Sequence, residues 1–302
     1  MNALAIAAPA KLNLALRVGK PDGTGYHPLA SWMCTIALFD NLSIVREGPP
    51  GLRFTCDDPA LPRDAGNLVL RAARELLTDA RLGYAALSIT LRKRIPSAAG
   101  LGGGSSDAAA TLLGLNRLFE LGFGREKLAL IASALGSDVP FFLYGPSAYC
   151  RGRGERVSPL PAPSLARWAL LVLAPFGLST ADVYRRFDDM ALGTAESPEL
   201  AEAQKLPDFS SRELLNVLSN DLEPAAFSLA PALSDLHATI ERHLGRPVRM
   251  SGSGSTLFTL FDDPDEANRA AQRARDTLFG PRFAVVTLAP EVSDVGDPLD
   301  IG

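Results

Sequence analysis

The 302-residue chain is poor in the residues that build metal sites and disulfide frameworks. It has three cysteines, Cys34, Cys56 and Cys150, and three histidines, His27, His237 and His243. Widely spaced cysteines, odd in number and without a Cys-x-x-Cys pair, exclude a disulfide scaffold and a zinc ribbon, and make a reducing compartment the default reading. No histidine clusters with carboxylates, and His237 and His243 fall on one expected solvated helix, so no resident metal is expected. Long apolar runs are also missing. The most apolar stretch, Trp168 to Ala174, is far short of the roughly 20 residues a membrane span needs. The opening MNALAIAAPAK has no basic region ahead of its apolar run, which stops at Pro9, and does not read as a signal peptide. Positive charge is not in excess: the formal net charge is −4 and the pI near 5.5, unlike a dedicated nucleic-acid binder. The expectation is a cytoplasmic protein with neither membrane nor nucleic acid as partner.

Several chemical signatures are absent as well. No G-x-x-x-x-G-K-[ST] run exists, so there is no P-loop; no G-x-G-x-x-G exists, which removes the dinucleotide fingerprint and the protein-kinase loop. No G-x-S-x-G elbow supports a hydrolase.

What is present reads as two domains, residues 1–160 and 161–302, as the length allows. Leu12, Leu14, Leu16 and Val18 alternate with Lys11, Asn13, Ala15 and Arg17, a half-buried strand with Lys11 and Asn13 on its polar face. After the loop GKPDGTGYHP, Asn67 caps a helix to about Leu77. A strand is predicted from Leu87 to Ile95, then a glycine-rich loop, then a helix carrying Ala108, Leu112, Leu115 and Phe119 at helical spacing. A helix from Arg125 stops at Gly136, and AYCRGRGERV reads as a hairpin. The Pro- and Ser-rich stretch 158–164 is the expected boundary. Beyond it, strands at Trp168–Ala174, Pro247–Met250, Thr256–Phe261 and Arg282–Leu288, with helices between, give β-α-β-β-α-β, the split pattern of ferredoxin-like domains. The acidic end, EVSDVGDPLDIG, is expected to be loose.

The strongest chemical signal is Gly100-Leu-Gly-Gly-Gly-Ser-Ser-Asp107 between a strand and a helix. Consecutive glycines let backbone N–H groups approach an anion, Ser105 and Ser106 add hydroxyl donors, and the helix presents its positive end. Nucleotide phosphates fit such a loop. It has no lysine of its own, so a cation must come from elsewhere, and Lys11 is the candidate. By itself a strand lysine reads as solvated, and Asp138 in GSDVPFF as a turn cap. Asp138 is nevertheless flanked by Val139 and Phe141-Phe142, and a carboxylate among apolar neighbours needs a cation or a catalytic task. Ser251-Gly-Ser-Gly-Ser255 reads either as a hairpin turn or as a contact to phosphate or sugar. The basic runs Arg92-Lys93-Arg94 and Arg151 to Arg156 read as solvated strand faces.

Taken together, Pro9-Ala-Lys-Leu-Asn13, the segment Pro96 to Ser106 and Met250-Ser-Gly-Ser-Gly-Ser255 resemble the three motifs of the GHMP kinases, the superfamily of galactokinase, homoserine kinase, mevalonate kinase and phosphomevalonate kinase. The resemblance covers nearly the whole chain. Gly25-Tyr-His-Pro-Leu-Ala-Ser31, Gly136-Ser-Asp-Val-Pro140, Ser179-Thr-Ala-Asp-Val-Tyr184 and Asn220-Asp-Leu-Glu223 resemble the branch acting on 4-diphosphocytidyl-2-C-methyl-D-erythritol in non-mevalonate isoprenoid biosynthesis.

The resemblance implies an α+β, two-domain fold: a ribosomal protein S5 domain 2-like N-terminal part, a ferredoxin-like C-terminal part and ligands in the cleft between. It implies Lys11 and Asp138 as the catalytic pair on the substrate's C2 hydroxyl, Asp138 as base and Lys11 as charge stabiliser, with Asn13 holding the polyol. Tyr26 and Tyr184 would stack on the cytosine and His27 would hydrogen-bond it. Pro96, Gly100, Leu101, Gly102, Gly103, Gly104, Ser105 and Ser106 would cradle ATP with Mg²⁺. The partners implied are ATP and a cytidyl diphosphate polyol, bound by a monomer or weak homodimer. Two departures stand out: Lys20-Pro-Asp-Gly-Thr-Gly25 is longer than the family's loop and lacks its arginine, and Cys34 replaces a common glutamine.

Overall fold

Two long strands organise the first half of the chain. The computed structural model describes residues 2–83, 86–195, 198–200 and 203–290. Strands β1 (Ala3–Val18) and β2 (Leu29–Arg46) pair antiparallel along most of their lengths. Their register shifts twice, between Pro9 and Ala10 and between Asn13 and Ala15. Such bulges kink a strand and re-aim its side chains, and here they bracket the stretch that carries Lys11 and Asn13.

Strand β3 (Gly51–Cys56), helix α1 (Leu68–Asp79) and strand β4 (Ala86–Arg92) form a parallel crossover, and β4 pairs with β2. Asn67 caps α1, its side chain accepting from the Val69 N–H at 2.9 Å. Helices α2 (Gly103–Leu118) and α3 (Arg125–Leu135), the short α4 (Phe141–Tyr144) and the hairpin β5 (Ser147–Gly152) and β6 (Arg156–Pro159) complete this half. The sheet runs β3-β4-β2-β5-β6, with β1 also paired to β2. Leu42, Ile44, Leu87 and Ile89 of its strands meet Leu76, Leu112 and Leu115 of the helices in one buried cluster.

The second half opens with β7 (Trp168–Leu173) and α5 (Thr180–Asp189), followed by α6 (Ser211–Val217), α7 (Glu223–Leu229) and α8 (Pro231–Leu244). It ends with β8 (Arg249–Met250), β9 (Leu257–Phe261), α9 (Pro264–Thr277) and β10 (Arg282–Thr287). The antiparallel order β10-β7-β9-β8 is that of a split β-α-β-β-α-β unit. Leu12, Leu14, Trp32 and Ile36 of the first sheet share a buried cluster with Leu171, Phe258 and Leu260 of the second. No helix among the described residues is long and apolar enough to cross a membrane.

The sequence reading needs correcting in several places. β1 is not half-buried at its centre, for Lys11 and Asn13 are each only 3% exposed. Its free edge is covered: Lys11 N–H donates to Leu101 O at 2.9 Å, Asn13 N–H to Ser251 Oγ at 3.2 Å and Leu16 N–H to Ser219 O at 2.8 Å. α2 begins at Gly103, inside the glycine run and not after it. Gly136 caps α3 in an extended conformation, not a left-handed one. The acidic segment 291–302 lies outside the described residues.

β4 stops at Arg92, short of Ile95, because carboxylates take the next three N–H groups: Lys93 donates to Asp57 at 2.8 Å, and Arg94 and Ile95 donate to Asp40 at 2.5 and 2.9 Å. Arg92 and Arg94 are exposed as expected of a solvated face, but Lys93 between them is not. Lys93 turns inward and pairs with both Asp40 and Asp107, the latter at 2.9 Å, and all three side chains are buried. Without Asp40, Lys93 keeps Asp107 as its partner, but the Arg94 and Ile95 N–H groups lose their acceptor. Asp40→Ala should lower unfolding free energy by about 2–5 kcal/mol, the cost of two stranded donors, read as a drop in the denaturant midpoint at unchanged slope. A loss below about 1 kcal/mol, the scale of an exposed pair, would mean that solvent reaches the cluster.

Candidate active site

A cavity of about 1070 Å³ lies between β1, the glycine loop and the N-terminal part of α5. Its floor is built on glycines, two of which leave no room for a side chain. Gly100 (φ 74°) and Gly102 (φ 70°) are left-handed, a conformation strained for residues with a Cβ. A Cβ on Gly100 would collide with Ser251 O, and one on Gly102 would stand 3.0 Å from Lys11 side-chain carbons. The loop thus lies directly on the lysine. Gly102 caps α2 without a side-chain hydrogen bond, and the first intrahelical bond visible from this end is Ser106 N–H to Gly102 O at 2.9 Å. The N–H groups of Gly103, Gly104 and Ser105 are left without helical partners at the positive end of a 16-residue helix, and all three residues line the cavity. This is an anion cradle.

Lys11 supplies the cation. Its Nζ donates to Asn13 Oδ1 at 2.5 Å and to Gly100 O at 3.0 Å, and lies 3.4 Å from Asp138 Oδ2. Asn13 is oriented in turn: its Nδ2 donates to Ser31 Oγ at 2.8 Å, and that hydroxyl donates to Ala15 O. With its amide nitrogen turned toward Ser31, Asn13 presents its oxygen to the lysine, which can only donate. Asp138, in the turn after α3, keeps 29% of its side chain exposed toward the cavity. Its surroundings are thus less apolar than its sequence neighbours suggest, and its cation partner is Lys11.

The remaining expected residues fall as follows. Pro96, Gly100, Leu101 and Ser105 line the cavity, whereas Ser106 does not: it is buried and its hydroxyl has no hydrogen-bond partner. Tyr26, His27 and Tyr184 line the far end. Ser179 caps α5 by accepting from Asp182 N–H, placing Tyr184 one turn into the helix. Phe187 faces the core while Tyr184 stays half-buried, its ring 4.9 Å from His27. Burial pushes the Tyr184 hydroxyl well above its ordinary range, and the Asp138 charge adds to this. The long loop folds on Asp22, whose carboxylate accepts from the Thr24 N–H, Thr24 hydroxyl and Tyr26 N–H. These bonds, led by that of the Thr24 hydroxyl, hold Asp22 below the usual carboxylate range. Cys34 is a buried thiol pushed up to about 12 by its burial, and is inert.

Sequence reasoning missed four residues here. Lys93 and Asp107 line the cavity beneath the glycine loop. Arg153, expected on a solvated face, sits over the Tyr26 ring at 4.1 Å and donates to Thr24 Oγ1 at 2.7 Å. Asp188 meets His27 Nε2 at 2.8 Å. Only Asp107, next to the serines, carried a local signal. The turn 251–255 is a clasp: Ser251 Oγ donates to Gly100 O at 2.9 Å, and Gly252 and Ser253 reach the cavity. The segment Asn220 to Glu223 holds that turn, Asn220 Nδ2 donating to Met250 O and Gly252 O and Glu223 accepting from Met250 N–H. Among the described residues no group of three or more His, Cys, Asp or Glu could hold a metal.

Comparison with known proteins bears on this geometry. Residues 67–146 match the family model of the GHMP kinases N terminal domain, and residues 200–279 that of GHMP kinases C terminal. The 4-diphosphocytidyl-2-C-methyl-D-erythritol kinase of Citrifermentans bemidjiense is 40% identical over 274 residues, covering 90% of this chain and 94% of the relative. That of Moorella thermoacetica is 39% identical over 92% of this chain and 96% of its own. A crystal structure of a 4-(cytidine 5'-diphospho)-2C-methyl-D-erythritol kinase, 36% identical, superposes with a TM-score of 0.77 over 95% of this chain and 100% of the other. A homoserine kinase from Cytophaga hutchinsonii shares the fold at 18% identity, with a TM-score of 0.70 over 98% of this chain and 96% of the other.

Lys93 serves two carboxylates with one positive charge. Burial, reinforced by the Asp40 charge, lifts Asp107 to about 7 against the pull of Lys93. Lys93 itself is raised, since Asp107 and Asp40 outweigh the burial that opposes its charge. Between the ordinary 3.8 and about 7 the folded chain holds a proton on Asp107 that the unfolded chain has lost, so this carboxyl makes stability fall as pH rises through that window. From near pH 5 to near pH 8 the wild type should lose about 1–3 kcal/mol relative to Asp107→Asn, which cannot titrate. Denaturant melts of both proteins at the two pH values measure the difference. A constant gap would show Asp107 ionised throughout.

Proposed function

The chain belongs to the GHMP kinases, among the 4-diphosphocytidyl-2-C-methyl-D-erythritol kinases, and on that premise we propose that it transfers the γ-phosphoryl group of ATP to the C2 hydroxyl of 4-diphosphocytidyl-2-C-methyl-D-erythritol. The observation that carries this reading is the meeting of Lys11, Asp138 and the glycine cradle at one point of the cavity. Phosphoryl transfer asks for positioning and charge neutralisation more than for covalent chemistry.

The bare N–H groups of Gly103, Gly104 and Ser105 suit the oxygens of a triphosphate. Mg²⁺, carried as part of the nucleotide substrate, would supply charge neutralisation at the phosphates. Asp138 takes the proton of the attacking hydroxyl. Lys11, fixed by Asn13 and Gly100 O, stabilises the negative charge that gathers on that oxygen and on the transferring group. Tyr26 and Tyr184 take the two faces of the cytosine, with the Arg153 guanidinium behind Tyr26. The product is the 2-phosphate, with ADP, in the cytoplasmic route to isoprenoid precursors.

ATP-dependent turnover of the cytidyl substrate should exceed that of homoserine or mevalonate in a coupled ADP assay; the reverse order would overturn the substrate assignment. In the same assay Asp138→Asn should lower kcat by about 10²–10⁴-fold, the usual worth of a positioned base. Lys11→Ala should lower it strongly too, and the double variant by much less than the product of the two, since both side chains act on one oxygen. A near-normal kcat for Asp138→Asn leaves that carboxylate structural.

Tyr184→Ala should raise KM for the cytidyl substrate roughly 5- to 150-fold, the worth of one base–aromatic stack. Its kcat should change little, because the base is held alike in ground and transition states, and KM for ATP should stay put. An unchanged cytidyl KM together with a lowered melting temperature would return Tyr184 to the core.

A further inference from the structure

The imidazole of His27 is gripped by one face of α5. Tyr184, Phe187 and Asp188 stand at i, i+3 and i+4, the spacing that brings side chains together on a helix. The Tyr184 and Phe187 rings lie 4.9 and 5.9 Å from the imidazole, and Asp188 Oδ1 lies 2.8 Å from Nε2. The His27 side chain is only 8% exposed although the residue lines the cavity, while Asp188 is 42% exposed. A carboxylate accepts and does not donate, so the proton of this bond belongs to Nε2. In a neutral imidazole Nδ1 is then a bare acceptor. Among the described residues no protein group bonds to Nδ1, so its lone pair is left for whatever enters beside Tyr26 and Tyr184.

We propose that Asp188 is a positioning residue that locks His27 in the Nε2–H tautomer, so that Nδ1 accepts from the exocyclic amine of cytosine and turns away uracil. The inference rests on the cytidyl reading above and extends it to base selectivity. Cytosine and uracil stack alike between two tyrosines, so stacking cannot tell them apart. They differ on the Watson–Crick edge, where cytosine carries an amine and uracil a carbonyl oxygen. An acceptor pairs with the first and faces a second acceptor with the other, and an unmade buried hydrogen bond costs more than a made one gains. A ring with its proton on Nδ1 would reverse the preference. A carboxylate behind an imidazole decides which nitrogen is free, as it does behind metal-bound histidines.

The test uses the full chain, the cytidyl substrate and its uridyl counterpart, near pH 8, above the ordinary imidazole range. The wild type should prefer the cytidyl compound. In Asp188→Asn the amide can donate to Nε2, which permits the other tautomer. The cytidyl-to-uridyl ratio of kcat/KM should then fall roughly 5- to 150-fold, the worth of a donor–acceptor mismatch. The fall should lie in KM, with kcat for the cytidyl compound little changed. Asp188→Glu, which keeps the acceptor, should restore much of the ratio. Nitrogen-15 NMR of histidine-labelled protein, with His27→Asn to assign the signals, should find the proton on Nε2 in the wild type and a shift toward Nδ1 in Asp188→Asn. A wild-type proton on Nδ1 overturns the proposal. So does a selective wild type whose ratio is unmoved by Asp188→Asn, or a variant that loses affinity for both compounds equally, as a mere staple between α5 and the loop would. Turnover of neither nucleotide compound by the wild type would instead remove the cytidyl reading, and with it this base-selective role, even with the NMR tautomer as expected.

Discussion

A lysine ammonium taken out of water must be surrounded by oxygen, and the structure is arranged around that requirement at Lys11. Three oxygens meet it, from Asn13, Gly100 and Asp138. They belong to a strand, a loop and a turn far apart in the chain. Gly100 O serves twice, accepting from Lys11 Nζ and from Ser251 Oγ. That one carbonyl ties the strand, the glycine loop and the clasp of the second half into a single network. Removing any of the three would strand a buried charge or a buried carbonyl.

The glycine loop lies between two buried lysines that are not alike. Lys11 stands against Gly102 and has one carboxylate, partly open to the cavity. Lys93 stands against Gly103 and has two, both shut away from solvent. The first is a cation with attraction to spare for an anion; the second is fully neutralised by its own carboxylates and works as a strut under α2. The positive field at the loop therefore comes from Lys11 and from the end of the helix, on the side where the cavity opens.

The second half of the chain shapes the same site without supplying its charge. Asn220 and Glu223 hold the turn 251–255, that turn holds Gly100, and α5 holds His27 and Tyr184 at the far end. A cluster of side chains from both sheets lies behind β1, so the strand bearing Lys11 is braced from the back by one half and covered in front by loops of both.

Sequence by itself determined the local elements and the anion loop. Period and capping gave α1 and α3 to within a residue or two, since Asn67 and Gly136 act through bonds to their own helices. Chain order alone gave the split β-α-β-β-α-β half, because crossover rules leave few topologies. The run of glycines before a helix announced a loop of backbone N–H groups suited to an anion, since that arrangement needs no distant partner. Tertiary structure decided the rest. Lys93 reads as solvated until Asp40 and Asp107 close on it from 53 residues before and 14 after. Arg153 reads as surface until Tyr26 comes beneath it, and Asp188 as one helix acid among several until the loop delivers His27, 161 residues away. The tasks of these side chains are set by partners that only folding brings within hydrogen-bond reach, and a carboxylate or cation carries no mark in the sequence of which partner it will meet.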